Sequence, residues 1–170
     1  MVRRRFSGRM GHMPRVGLAA GFAVIAAAGT LVAPVALAST SHVFTASYTG
    51  HGAGKVSGTR ASGSAKLSGR GRIIGRGTLR GSGQGLFVSR TCIVFSGKAV
   101  LKGRRGSIKL ATRRARACST HADEVSFSGT ARITGGSATF AGAHGKLSFA
   151  GTYLRPSGAV TISFRGRISF

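Results

Sequence analysis

Val125-Ser126-Phe127-Ser128-Gly129-Thr130-Ala131-Arg132-Ile133-Thr134 changes character at every step, with apolar or small residues at odd numbers and polar ones at even numbers. Successive side chains of an extended chain point to opposite faces, so a period of two describes a strand with one buried and one wetted face. The C-terminus repeats the pattern. Val160, Ile162, Phe164, Ile168 and Phe170 alternate with Thr161, Ser163, Arg165, Arg167 and Ser169, while Gly166 keeps the phase. Leu147, Phe149, Gly151 and Tyr153 follow the same rule. Only 3 prolines occur in 170 residues, which suits long strands because proline breaks a hydrogen-bonded ladder.

A longer repeat organises these strands. Ser62-Gly63-Ser64-Ala65-Lys66-Leu67-Ser68-Gly69 recurs at Ser96–Gly103 and again at Ser128–Gly135, following S-G-x-A-x-[LI]-x-G, and a partial copy begins at Ser157-Gly158. A spacing of about 33 residues also fits helical solenoids, but the local period of two rejects helices. Each copy reads as two strands, so four copies give about eight. The expected fold is all-β: an antiparallel barrel of about eight strands built from repeated hairpins, with a two-sheet β-sandwich as the alternative.

The first 38 residues read differently. Arg3, Arg4, Arg5, Arg9 and Arg15 form a basic leader, and Val16–Val35 is uncharged and mostly apolar. Ala36-Leu37-Ala38 places small residues where a signal peptidase inspects them. Residues 1–38 are therefore expected to be a signal-peptide helix and residues 39–170 a single barrel domain, secreted or held in the cell envelope. An uncleaved anchor is the alternative, since about 20 apolar residues span a bilayer. Arg4-Arg5 followed by Phe6 leaves twin-arginine export open beside the general route.

Charge is the strongest compositional signal. The chain carries 26 Lys and Arg against 2 Asp and Glu, a formal net charge of +24. Five of the cations lie in the leader, so the remaining 21 against two acids leave the barrel near +19. The only acids are neighbours, Asp123 and Glu124, which excludes chemistry built on paired carboxylates across a cleft or on clustered acidic metal ligands.

One hairpin has a register that its turn and side chains fix. A turn at Gly103-Arg104-Arg105-Gly106 sets Leu101 opposite Ile108 and Ala99 opposite Leu110. Continued unchanged, that register points Arg114 and Arg116 inward and faces Cys92 toward Ala117. One extra residue between Ala111 and Arg113, a β-bulge, turns both arginines outward and brings Cys118 opposite Cys92. A Cys92–Cys118 disulfide follows, in keeping with an even cysteine count in an exported chain. Two separate thiols are the alternative.

The remaining polar residues form no recognisable catalytic, cofactor-binding or metal-binding constellation. His121, Asp123 and Glu124 could supply a His–carboxylate site, but they read more simply as a solvated turn. His42, His51 and His144 show no H-x-x-H or H-E-x-x-H spacing, and no G-x-S-x-G elbow occurs. Tyr48, Tyr153 and the histidines are left as candidates for a pocket inside the barrel.

Ile133-Thr134-Gly135-Gly136-Ser137-Ala138-Thr139-Phe140-Ala141-Gly142-Ala143-His144-Gly145 resembles I-x-G-G-T-G-x-F-x-G-A-x-G, a segment typical of the dirigent and allene oxide cyclase-like barrels and of many secreted bacterial relatives. The likeness covers roughly 25 residues, and Ala138 stands where those proteins usually have glycine. It implies an eight-stranded barrel and raises a small-ligand carrier or cyclase-type use of the interior. Those enzymes resemble one another in placing polar or acidic groups inside the barrel, whereas the inward positions here read Val, Phe, Gly, Ala, Leu and Ile.

The cations point elsewhere. Lys98, Lys102, Arg104, Arg105, Lys109, Arg113, Arg114 and Arg116 belong to one hairpin, and Arg70, Arg72, Arg76 and Arg80 stud the region before it. Such a surface attracts polyanions by releasing their counterions. The expected function is therefore a secreted, non-catalytic barrel that binds anionic polymers without sequence or partner specificity: teichoic acid, acidic polysaccharide, nucleic acid or an anionic lipid surface. A generic solubilising charge is the bland alternative. An outer-membrane barrel is another, opposed by Arg165 and Arg167 in the final strand and by missing aromatic girdles.

Overall fold

A computed structural model describes residues 40–170; the leader and its cleavage site lie outside the described residues. Eight antiparallel strands follow one another along the chain: β1 (Ser41–Ser57), β2 (Arg60–Gly71), β3 (Gly75–Phe87), β4 (Cys92–Gly103), β5 (Gly106–His121), β6 (Glu124–Ala138), β7 (His144–Leu154) and β8 (Ala159–Ser169). Each pairs with its neighbours in sequence, and β1 closes on β8 from Ser41 opposite Ser169 to His51 opposite Ala159. The sheet is thus a closed up-and-down barrel, not a sandwich. Closure removes both free edges, which would otherwise template pairing with another chain.

The alternation read from sequence sets the two faces. In β8, Val160, Phe164 and Ile168 are buried, while Thr161, Ser163, Arg165 and Arg167 are exposed. Large inward residues sit directly opposite inward glycines on the next strand. Tyr48 pairs with Gly69, Leu67 with Gly50, Phe95 with Gly85, Phe127 with Gly151, Phe149 with Gly129, and Gly166 lies between Phe44 and Leu147. An eight-stranded barrel encloses just enough space for side chains to fill it. Glycine is needed at these points because a Cβ on Gly151 would fall on the Thr161 carbonyl oxygen and the Phe127 ring. At Gly69 it would meet the Ser47 carbonyl oxygen and Tyr48.

One end of the barrel is plugged. The β2–β3 turn carries Ile74 inward, and the β6–β7 turn carries Phe140; both are buried to 1% exposure or less. Phe140 meets Phe170 edge to face, with ring centroids 5.2 Å apart. The turn that delivers it lies inside the glycine-rich segment Ile133–Gly145, between the end of β6 and the start of β7, and is held by Phe140 N–H donating to Ser137 O and Ala143 N–H donating to Phe140 O. Burying a side chain of this size contributes about 1.5–3 kcal/mol. The stretch from Gly69 to Gly81 spans the end of β2, the β2–β3 turn and the first half of β3.

The β4–β5 hairpin has the expected pairs, Leu101 with Ile108 and Ala99 with Leu110, and Cys92 lies opposite Cys118 with the disulfide formed. Linking residues 26 apart in sequence stabilises by about 3 kcal/mol through the entropy of the unfolded chain. The bulge comes later than expected. Thr112 stays in the ladder opposite Gly97, and the slip falls between it and Ala115, leaving Arg113 and Arg114 against Ser96. Thr112 can stay because its Oγ1 donates to Thr130 O at 2.7 Å, while both long cations turn to water. Arg114 has φ 58°, the left-handed conformation that bulges commonly assign to glycine.

Ala138, the residue that departs from the glycine of the resembled segment, also has a positive φ, 53°. An L-residue there costs about 1–2 kcal/mol relative to glycine. Ala138→Gly is therefore expected to raise unfolding free energy by about 0.5–1 kcal/mol, whereas Gly151→Val lowers it by about 3 kcal/mol or more. Paired denaturant titrations check both. Equal stability of the two variants contradicts the assigned packing.

Candidate functional site

Two surfaces distinguish this barrel, its outer wall and its open end. On the outer wall, all eight basic residues of the β4–β5 hairpin, Lys98 to Arg116, are exposed. Every other Lys and Arg among the described residues is exposed as well. Of the 21 cations that follow the leader, 15 lie between Arg60 and Arg116 on β2–β5 and their turns, so one half of the wall carries most of the charge. The opposite half is different. It carries fewer cations, and Ser47, Thr49, Ser126, Ser128, Thr152 and Ser163 make a hydroxyl patch over β6, β7, β8 and β1, bordered by Arg116, with Thr152 and Thr161 hydroxyls 2.8 Å apart.

Strand register brings like charges together. Lys66 lies opposite Arg80 and Arg70 opposite Arg76 across β2–β3. Arg132, Lys146 and Arg167 form a row across β6, β7 and β8. Directly opposed side chains have Cβ atoms about 4.5–5.5 Å apart, and like charges there repel. No acid is interleaved, because Asp123 lies in the β5–β6 turn and Glu124 at the very start of β6. The second row was not found from sequence: Arg132, Lys146 and Arg167 are 14 and 21 residues apart and meet only through sheet register.

The open end lies at the β1–β2, β3–β4, β5–β6 and β7–β8 turns. Inside it is a cavity of about 530 Å³, lined by glycines of β1–β4 and by Phe95, Phe127, Phe149, Tyr153 and Ile162. Among the described residues, no Asp, Glu or His lines it. Arg155, in the β7–β8 turn, reaches across the rim and donates to Ala122 O and Ser119 Oγ. Of the residues singled out from sequence, Tyr153 lines this cavity and Tyr48 does not. His121, Asp123 and Glu124 do fall in one turn, where Thr120 Oγ1 donates to Glu124 Oε1 at 3.3 Å. Among the described residues, no three of His, Cys, Asp and Glu gather closely enough to hold a metal ion.

Tyr48 is 1% exposed and packs edge-on against Phe164, 6.4 Å between centroids. Among the described residues its hydroxyl has no hydrogen-bond partner, and burial pushes the phenol up to about 12. No protein-family model matches the chain, and neither a curated protein nor a solved structure matches it.

Because desolvation favours neutral Tyr48, its share of stability is complete below the unfolded pKa of about 10 and is lost as pH rises through the folded value. Tyr48→Phe removes an unpaired buried hydroxyl and is expected to leave stability at pH 7 unchanged or higher. Between pH 10 and 12 the native protein should lose on the order of 2 kcal/mol relative to the variant. Parallel pH–stability curves for the two proteins contradict this.

Proposed function

We propose that this is an exported, non-catalytic barrel whose outer wall binds anionic polymers of the cell envelope or extracellular space. Teichoic acids, acidic polysaccharides, nucleic acid and anionic lipid surfaces share the needed chemistry, closely spaced negative charge. The single observation that carries the proposal is the set of like-charged cross-strand pairs. Lys66 with Arg80, Arg70 with Arg76, and the Arg132–Lys146–Arg167 row place repulsion where Ser or Thr would serve solubility as well. Such pairs oppose folding until an anion lies between them. Arg114 supports the same reading, since a cation is kept at a backbone conformation that glycine adopts more easily. The proposed likeness to dirigent-type barrels concerns the scaffold; the acid-free interior favours binding over cyclase-type chemistry. The outward strand positions, dominated by Ser, Thr, Lys and Arg, do not offer the apolar band that an outer-membrane barrel presents to lipid.

The protein is expected to bind a phosphate-bearing resin or duplex DNA at roughly 50 mM salt and to elute well before roughly 500 mM, as counterion release requires. Replacing Lys66, Arg70, Arg76 and Arg80 together with Ser should lower the eluting salt concentration and raise the melting temperature, because the same pairs bind and repel. Retention that ignores salt, or a variant that elutes unchanged, contradicts the proposal.

A further inference from the structure

The inward glycines fall into two groups. Those at 69, 77, 151 and 166 are compelled, because a Cβ at each would overlap a carbonyl oxygen of the facing strand. Those around the open end are not all compelled. A Cβ on Gly54 would meet nothing nearer than Ser62 O at 3.6 Å, and one on Gly81 nothing nearer than Ala99 Cβ at 3.4 Å. Both are ordinary van der Waals distances, and neither residue has a positive φ. Glycine inside a strand costs roughly 0.5–1 kcal/mol relative to alanine, and a larger side chain there would add buried apolar area. Bare positions that packing does not require leave room inside the barrel.

The walls of that space differ. Gly54, Gly63, Gly83 and Gly97 are register partners across β1, β2, β3 and β4, forming a floor of peptide backbone. Facing it, Phe127, Phe149, Tyr153 and Ile162 rise from β6, β7 and β8. Phe149 meets Phe127 and Phe95 with centroids 6.4 and 6.5 Å apart. At the plugged end inward residues are sealed, with Phe44, Leu101, Ile108 and Ile168 at 0% exposure. At the open end Ile93, Phe95, Phe127, Tyr153 and Ile162 point inward yet stay half-buried. Val56 is 67% exposed at the mouth, with Phe87 and Val88 nearby.

We infer that the open half of the barrel is a binding site for a flat apolar small molecule, seated between the glycine floor and the aromatic wall with its one polar, acceptor end at Arg155. A volume of about 530 Å³ lies within the range of small-molecule sites, which pair apolar walls with a few polar groups that fix orientation. Aromatic rings favour a planar partner, which they contact by offset stacking or edge to face. Arg155 uses part of its fork of donors on Ala122 O and Ser119 Oγ, leaving the rest for the ligand. The inference is independent of the outer wall.

The test uses the neutral probe N-phenyl-1-naphthylamine at roughly 500 mM salt, where surface ionic contacts are weak. One saturable site per chain is expected, with blue-shifted fluorescence and nuclear Overhauser contacts from the probe to the rings of Phe127, Phe149 and Tyr153. Gly54→Leu and Gly81→Leu, made separately, should each weaken binding tenfold or more while far-ultraviolet circular dichroism and melting temperature are kept. Arg155→Gln should weaken 2-naphthoate and spare the neutral probe. Non-saturable binding, contacts to the outer face, unchanged affinity in both folded glycine variants, or a probe-free dimer in sedimentation that closes the mouth would overturn the site. The contacts in the unsubstituted protein decide the matter even where a variant fails to fold.

Discussion

Closing eight strands around aromatic side chains is a problem of space on facing strands. Where Tyr48, Phe127 and Phe149 point inward, one of the two neighbouring strands places a glycine directly opposite, at 69, 151 and 129, where a Cβ would run into the ring. These large–glycine pairs recur around the wall, so packing and hydrogen bonding are satisfied together. The rest depends on this. Closure fixes which side chains face out, and thereby turns a scatter of cations along the chain into opposed pairs and rows.

The fold was legible because one signal dominated. A period of two held across Val125–Thr134 and Val160–Phe170, and the copies of S-G-x-A-x-[LI]-x-G gave the strand count. The Gly103–Gly106 turn sufficed to register a hairpin, down to Cys92 facing Cys118. The bulge was displaced because sequence alone does not show that Thr130 O would accept the Thr112 hydroxyl and hold Thr112 in the ladder. The plug was partly legible: the Ile133–Gly145 segment stood out by likeness, but Phe140 turning under the barrel needed the turn geometry.

The candidate sites were less legible, for a reason of distance. The β4–β5 cations are close in sequence, so they read as a cluster. Arg132, Lys146 and Arg167 lie on three strands and meet only by register. The cavity was harder still. Every inward glycine looks alike in a sequence, and separating the compelled from the uncompelled requires the neighbours a Cβ would touch. The molecule that results has two unequal ends, one sealed by Ile74 and Phe140, the other held open, inside a wall that is cationic on one half and hydroxyl-rich on the other.

The central claim is that the first strand closes on the last, around glycines that face large side chains. Cross-strand nuclear Overhauser contacts in the oxidised protein test it most directly. The account predicts contacts linking residues 41–51 antiparallel to residues 159–169, Ala46 beside Phe164 and Tyr48 beside Ile162 among them. A spectrum in which those two segments lack mutual contacts, or pair in a register shifted by one, would contradict it.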